Sequence, residues 1–337
     1  MNHTIGQLRE EGMAVNISDG AIFFGNSPFK RMLLFNVFTS VVGTLLNIAF
    51  AAKYYKNSLL PPTIKLIVSV YIICKIAETI LFAGIRGSHF IMHSMGSNSC
   101  DILVEKRLCL YLNFFQSAFL CLPTFLHFAM AIERLVAYKN SIKHKTSGVK
   151  TSVILCFVSI LLSMSSAAYV FRRFVPIGKT AFCSIMTPST TTDSITVAIG
   201  LLCLEFLSIS TSFCIHHWRN KTEKSKTTFV MAQRYGQNEN IYVFRLMLPW
   251  VVLHFVLSSL FYAAVIVIVR FYDLRTEFVE LMTVSGYLSI TPYYSVIVPI
   301  LLTVILQKQK VRRQTSICNL VAQDASADNY FKSYGWT

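Results

Sequence analysis

Seven apolar stretches, each closed at both ends by polar or charged residues, divide this chain; they lie near 32–52, 66–85, 108–132, 151–171, 195–215, 246–269 and 281–306. An α-helix rises about 1.5 Å per residue, so some 20 apolar residues cross the roughly 30 Å of hydrocarbon in a bilayer. Inside lipid, backbone amides are satisfied only within a helix or around a closed barrel, and these stretches lack the two-residue alternation of barrel strands. The pattern predicts an all-α fold, a bundle of seven transmembrane helices. It divides into a leader (1–30), a seven-helix domain (31–306) and a tail (307–337).

Composition supports this. Of 337 residues, 54% are hydrophobic and 14% charged, against about 25% charged in soluble domains. The first 31 residues hold no apolar run with a small-residue cleavage site, so the first helix is expected to act as its own anchor. Connections are short and no internal repeat is evident, which disfavours transporters built from duplicated halves.

Lysines and arginines orient the bundle. With the N-terminus outside, 18 of them fall in inner segments and 11 in outer ones, the latter including Arg86, while Lys75 and Arg245 lie within helices. That bias favours an extracellular N-terminus. The triplets beginning at Asn2 and Asn16 are candidate glycosylation sites on that side, although a third, at Asn220, would face the cytoplasm and about one or two arise by chance in such a length. The net charge of +15 sits mainly in inner loops and tail, where anionic inner-leaflet lipid accounts for it without nucleic acid.

The third stretch carries Cys109 and Arg134, 25 residues apart, or roughly 37 Å along a helix. A cysteine at the outer mouth and an arginine at the inner mouth therefore share one helix. Among the outer cysteines Cys100, Cys109 and Cys183, three pairings are open, as is a state of three free thiols. Cys109–Cys183 is favoured because it would tie the second outer loop to the third helix in an oxidising compartment.

Charges within the spans are costly, about 2.5–3.5 kcal/mol each at the bilayer centre on insertion scales. Lys75 and Glu78, one turn apart, can pair on one face of the second helix. Glu205 in the fifth has no evident local partner; Lys75, Glu78 and Glu205 read either as structural hydrogen-bonding groups or as ligand contacts. His127, two turns above Arg134, reads as a packing residue with one hydrogen bond or as a ligand contact. Tyr287, Tyr293 and Tyr294 are pocket candidates in the seventh helix, and Pro123, Pro249 and Pro299 predict kinks. Glu133 and Arg134 are adjacent and point about 100° apart, so no face-to-face pair is expected between them. Arg134 reads either as the first charge of an inner loop or as a coupling residue held inward by local acceptors. The tail offers a basic amphipathic segment with Cys318 as a palmitoylation candidate, and Thr315, Ser316 and Ser326 as phosphate acceptors. No P-loop, nucleophile elbow, metalloprotease helix or dinucleotide turn is present, and the histidines have no zinc spacing. Neither enzyme activity, cofactor nor metal is expected.

The segments "CDILVEKRLC" (100–109), "AIERLVA" (131–137) and "RYGQNENIYVFRLMLP" (234–249), in this order and spacing, make the chain similar to G-protein-coupled receptors. More narrowly, it resembles the nematode chemoreceptors of serpentine receptor class alpha and their close relatives. Leu135 follows Arg134 where rhodopsin-like receptors have tyrosine, and "SITPYYSVIVPIL" lacks Asn-Pro-x-x-Tyr, so the activation details of that class are not carried over. The resemblance implies a plasma-membrane receptor, in a sensory cilium, that takes a small external ligand and couples to a heterotrimeric G protein. Coupling would run through Glu133, Arg134, Arg234, Tyr235, Glu239 and Asn240. Two rivals remain: a seven-helix ligand-gated channel with its N-terminus inside, and a small transporter.

Overall fold

The structure is a computed structural model. It describes residues 26–57, 62–96, 102–139, 141–180, 182–184, 190–225, 231–271 and 278–308, with Val311 and Thr315, and within these the side chains except at 54–57, 138–139, 141–148, 216, 218–225, 231–246, 269–271 and 278. Helices α1 (Ser27–Asn57), α2 (Pro62–Met95), α3 (Lys106–Lys139), α4 (Ser141–Phe171), α5 (Thr191–Ser225) and α6 (Met231–Phe271) each carry one span. The seventh span is two helices, α7 (Phe278–Leu288) and α8 over 290–308.

The helices overrun the apolar windows. α2 begins with Pro62 at its first position, where a missing N–H costs nothing, and continues ten residues past the expected end at 85. The seventh span is interrupted at Ser289, whose N–H reaches back to the Gly286 carbonyl at 3.4 Å. Pro292 explains the break, because it has no N–H for the Leu288 carbonyl and its ring crowds that oxygen. At Pro123, Pro249 and Pro299, where kinks were expected, the helices continue without a gap; the gap at Ser289 lies three residues before a different proline.

Helix α3 is the axis of the bundle. In its most apolar window 67% of residues are buried, against 28% in α4, α5 and α6. Small residues let α4 approach it: Ser152, Cys156, Ser159, Ser163 and Ala167 recur every three or four positions and are buried, and the Ser159 hydroxyl donates to the Phe125 carbonyl at 3.3 Å. Without a hydrophobic drive between helices in lipid, such small-residue faces allow close van der Waals contact. The opposite face of α4 exposes Val153, Ile154, Phe157 and Leu161 toward the lipid.

Helix α1 is closely fitted to the seventh span. A Cβ at Gly43 would fall 2.1 Å from Ser295 Oγ, and one at Gly286 would fall 2.4 Å from Met32 Sδ. Asn36 Nδ2 donates to the Gly286 carbonyl at 3.2 Å and Asn47 Nδ2 to the Ser295 carbonyl at 2.8 Å. The inner core packs Tyr71, Leu126, Met130, Trp250 and Tyr294 together; an outer cluster gathers Phe29, Met32, Phe182 and Leu281.

A strap closes the outer mouth. Cys109 at the head of α3 is bonded to Cys183, with Cα atoms 5.2 Å apart. Beside it, β1 (Val104–Glu105) pairs antiparallel with β2 (Lys179–Thr180). Gly178 adopts φ 91°, a left-handed conformation open to glycine, and its carbonyl accepts from the Lys106 N–H at 3.0 Å.

Candidate functional site

Among the described residues, Leu120 of α3 borders three cavities in the outer half and middle of the bundle. The first, about 570 Å³, has a mixed wall of Phe82, Arg86, Asn113, Gln116, Ser184 and Thr291. The second is an apolar groove of about 700 Å³ among Cys121, Ile195, Ala198, Leu201, Phe261 and Tyr262. Beneath them a polar recess of about 280 Å³ is lined by Lys75, Thr124, His254, Ser258, Tyr262 and Tyr294. The first cavity lies against the strap, since Ser184 follows the bonded Cys183.

Two buried polar clusters form the floor. In the first, Lys75 Nζ donates to Glu78 Oε2 at 2.6 Å, as their three-residue spacing allows. The Thr291 hydroxyl, just below the break in the seventh span, donates to Glu78 Oε1 at 2.9 Å. Lys75 Nζ also stands 4.8 Å from the Tyr294 ring centroid, within the range of a cation–π attraction. One pair of charges thus ties α2 to α8.

In the second cluster, Glu205 of α5 meets two histidines from other helices. Its Oε1 lies 2.9 Å from His254 Nε2 and 3.6 Å from His127 Nδ1. Glu205 therefore has partners after all, and His127 faces a carboxylate as well as the rings of Trp250 at 4.9 Å and His254 at 4.4 Å. Ligand atoms of His127, Glu205 and His254 all fall within 4.8 Å of one another. Two imidazoles and a carboxylate are a donor set that a divalent ion such as zinc accepts, and one that equally shares a proton. Sequence spacing could not disclose it, because each residue comes from a different span.

Aromatic contacts join both clusters. Trp250 Nε1 donates to the Tyr294 hydroxyl at 3.2 Å, Tyr71 stacks edge-on against Trp250 at 4.5 Å, and His254 meets the Tyr294 ring at 4.9 Å. Tyr294 is the helix-seven tyrosine turned inward. Tyr287 and Tyr293 are exposed on the bundle wall beside Phe35, 5.9 Å from it ring to ring. Tyr287, a ligand candidate by sequence, lines none of the three cavities, because its position beside α1 turns it outward.

At the inner end, Arg134 Nε and Nη2 both donate to the carboxylate of Glu133, and Nη2 also donates to Thr63 Oγ1 of α2 at 3.2 Å. The expectation that adjacent residues would not pair is corrected here. The 100° separation applies to the Cβ directions, whereas the guanidinium ends a flexible stem that swings back over the carboxylate. Glu133 is fully buried and the Arg134 side chain is 10% exposed.

Helix α6 carries Arg234, Tyr235, Glu239 and Asn240, whose side chains lie outside the described residues, as do Asn2, Asn16, Cys100, Ser316, Cys318 and Ser326 altogether. Sequence reasoning passed over His254, Trp250 and Arg86. A signal for the last existed: Phe82, Arg86, His89 and His93 recur at helical spacing on one face, and continue the buried face of α2 beyond the apolar window. On the outer surface, Arg172 forks onto Asp193 at 3.1 and 2.9 Å, and this hydrogen bonding raises the Arg172 pKa above its ordinary value.

Seven spans around a buried third helix, a disulfide strap over its outer end and a clasped arginine at its inner end define a seven-transmembrane receptor of the G-protein-coupled type. Residues 24–335 match the family of serpentine type 7TM GPCR receptor class ab chemoreceptors, and the chain belongs to that family. The resemblance to class alpha accordingly holds at the level of serpentine chemoreceptors, with class ab the group matched. No curated protein matches the chain.

Proposed function

We propose that this chain is a plasma-membrane chemosensory receptor, N-terminus outside, which binds a small external ligand in the cavities around Leu120 and activates a heterotrimeric G protein. The observation that carries the reading is the clasp on Arg134. A guanidinium at the inner end of the most enclosed helix is held by Glu133 and by Thr63 of a neighbouring helix, contacts that would have to open for Arg134 to meet a partner.

A ligand favours that second state only through its higher affinity for it. Its contacts would be with α3, α5, α6 and the seventh span. Outward movement of α6 would then expose the end of α3, and Arg134 would meet the G protein together with Arg234, Tyr235, Glu239 and Asn240 of α6. The family supports placement in a sensory cilium, and the short motifs support kinship between this chain and class alpha. Glycans on Asn2 and Asn16 would mark the outer side.

The test is a second-messenger assay in cells exposed to a chemical library. Arg134→Ala is expected to abolish the ligand response while surface labelling of an N-terminal tag, without permeabilisation, stays at the wild-type level. Unchanged signalling by this variant, or a tag reachable only after permeabilisation, overturns the reading.

A further inference from the structure

Arg86 is a half-buried charge that faces no carboxylate among the described residues. Its Nε and Nη1 atoms are shielded from solvent and have no hydrogen-bond partner among those residues. The guanidinium is sandwiched between the rings of Phe82, 5.0 Å away, and Phe182, 4.6 Å away. Among the described residues, the carboxylates are occupied elsewhere or exposed: Glu78 by Lys75, Glu205 by His254, Glu133 by Arg134, Asp193 by Arg172, with Glu105 and Glu280 at the surface.

An arginine keeps its charge in any protein environment. A buried charge without a partner is among the most costly arrangements a fold can hold, and cation–π contact with two phenyl rings offsets only part of that cost. Arg86 also lines the mixed cavity. Around the same cavity stand Asn113 and Gln116 of α3, neutral amides able to donate to an anion, together with the hydroxyl-bearing Ser184 and Ser289. Phe261 and Val265 form a wall shared with the apolar groove.

We infer that the ligand of this cavity is a small organic carboxylate, its anionic group on the Arg86 guanidinium and its apolar body directed past Phe261 toward the groove. A planar carboxylate accepts two parallel hydrogen bonds from one edge of a guanidinium; on Arg86 such an edge joins Nη2 to one of the two unpartnered atoms, Nε or Nη1. The strap contributes Phe182 to the sandwich and Ser184 to the wall, so the disulfide positions the anion site from above. This assignment rests on the receptor reading for its biological sense, although binding itself does not require it.

The full-length receptor in lipid nanodiscs tests it. Thermal unfolding midpoints are recorded against a panel of small carboxylates, each beside its carboxamide and its amine of equal chain length. Carboxylates are expected to raise the midpoint where their amides and amines do not. Arg86→Gln is expected to weaken binding on the order of 100-fold, and Arg86→Lys by about tenfold, because an ammonium retains charge and loses the fork. Asn113→Ala, which leaves the cation in place, is expected to weaken carboxylate binding by several-fold and guards against a misfolded Arg86 variant. The inference is overturned if no carboxylate shifts the midpoint, if amides or amines shift it equally, or if Arg86→Gln binds as the wild type does. Carboxylate binding that depends on Arg86 but moves no second messenger would refute the receptor reading alone. Signalling by neutral ligands, indifferent to Arg86→Gln, would refute the anion site alone.

Discussion

Arg86 and Arg134 present the same guanidinium at opposite ends of the bundle, in opposite electrical circumstances. Arg134 is gripped by a carboxylate and a hydroxyl supplied by the protein; Arg86 has two ring faces and neutral amides and hydroxyls around it. A cation clasped from within is suited to release, since removing its partner changes what it can touch. A cation lacking a counter-charge is suited to capture. Between them, the Lys75–Glu78 pair shows a third condition, an ion pair sealed on both sides and joined to Thr291, which resists either change.

The contrast is broken most severely in the sealed pair. Glu78→Ala strands Lys75 in the core, and loss of one member of a buried pair costs about 3–5 kcal/mol. The variant is expected to unfold at a markedly lower temperature in detergent and to reach the surface poorly, as read by tag labelling. Normal stability would mean that Lys75 finds another acceptor. The clasp gives the next largest effect. Glu133→Ala removes the carboxylate from the clasp and leaves Arg134 with Thr63, and basal second-messenger output is expected to rise by about tenfold, within the 1–3 kcal/mol typical of coupling between states; unaltered basal output would show that the clasp does not restrain activity.

The smallest effect belongs to the outer surface. Arg172 lies beyond the spans, and its raised pKa means that its pairing with Asp193 is fully present below the ordinary arginine range and is lost only as pH climbs through the still higher folded value. No change in ligand potency attributable to Arg172 is therefore expected between about pH 5 and 9, and Arg172→Gln should leave the pH profile of signalling superimposable on the wild type. A shifted profile would show that this exposed pair reaches the ligand.

What was readable in the sequence was local. The windows of apolar residues marked the seven spans, and the three-residue spacing of Lys75 and Glu78 already placed them on one face. Glu205 was recognisable as costly, but its partners His127 and His254 lie on other helices, and neither periodicity nor spacing encodes which span packs beside which. Arg86 was misplaced for a different reason. An arginine and two histidines depress a hydropathy window, so the second span was ended at 85 although the helix and its buried face continue through His93. The break at Ser289 is not legible in the apolar pattern, because the seventh window runs across it without a polar interruption longer than Ser289 and Thr291, and Pro292 alone marks the place.

The close fit of α1 has a mechanical consequence for that interruption. Asn36 grips a carbonyl of α7 above the gap and Asn47 one of α8 below it, so the first helix lies along the fracture as a splint. The outer fragment cannot tilt by itself: any ligand that pushes on it must drag the neighbouring helix too, and the seventh span bends only as far as its companion yields.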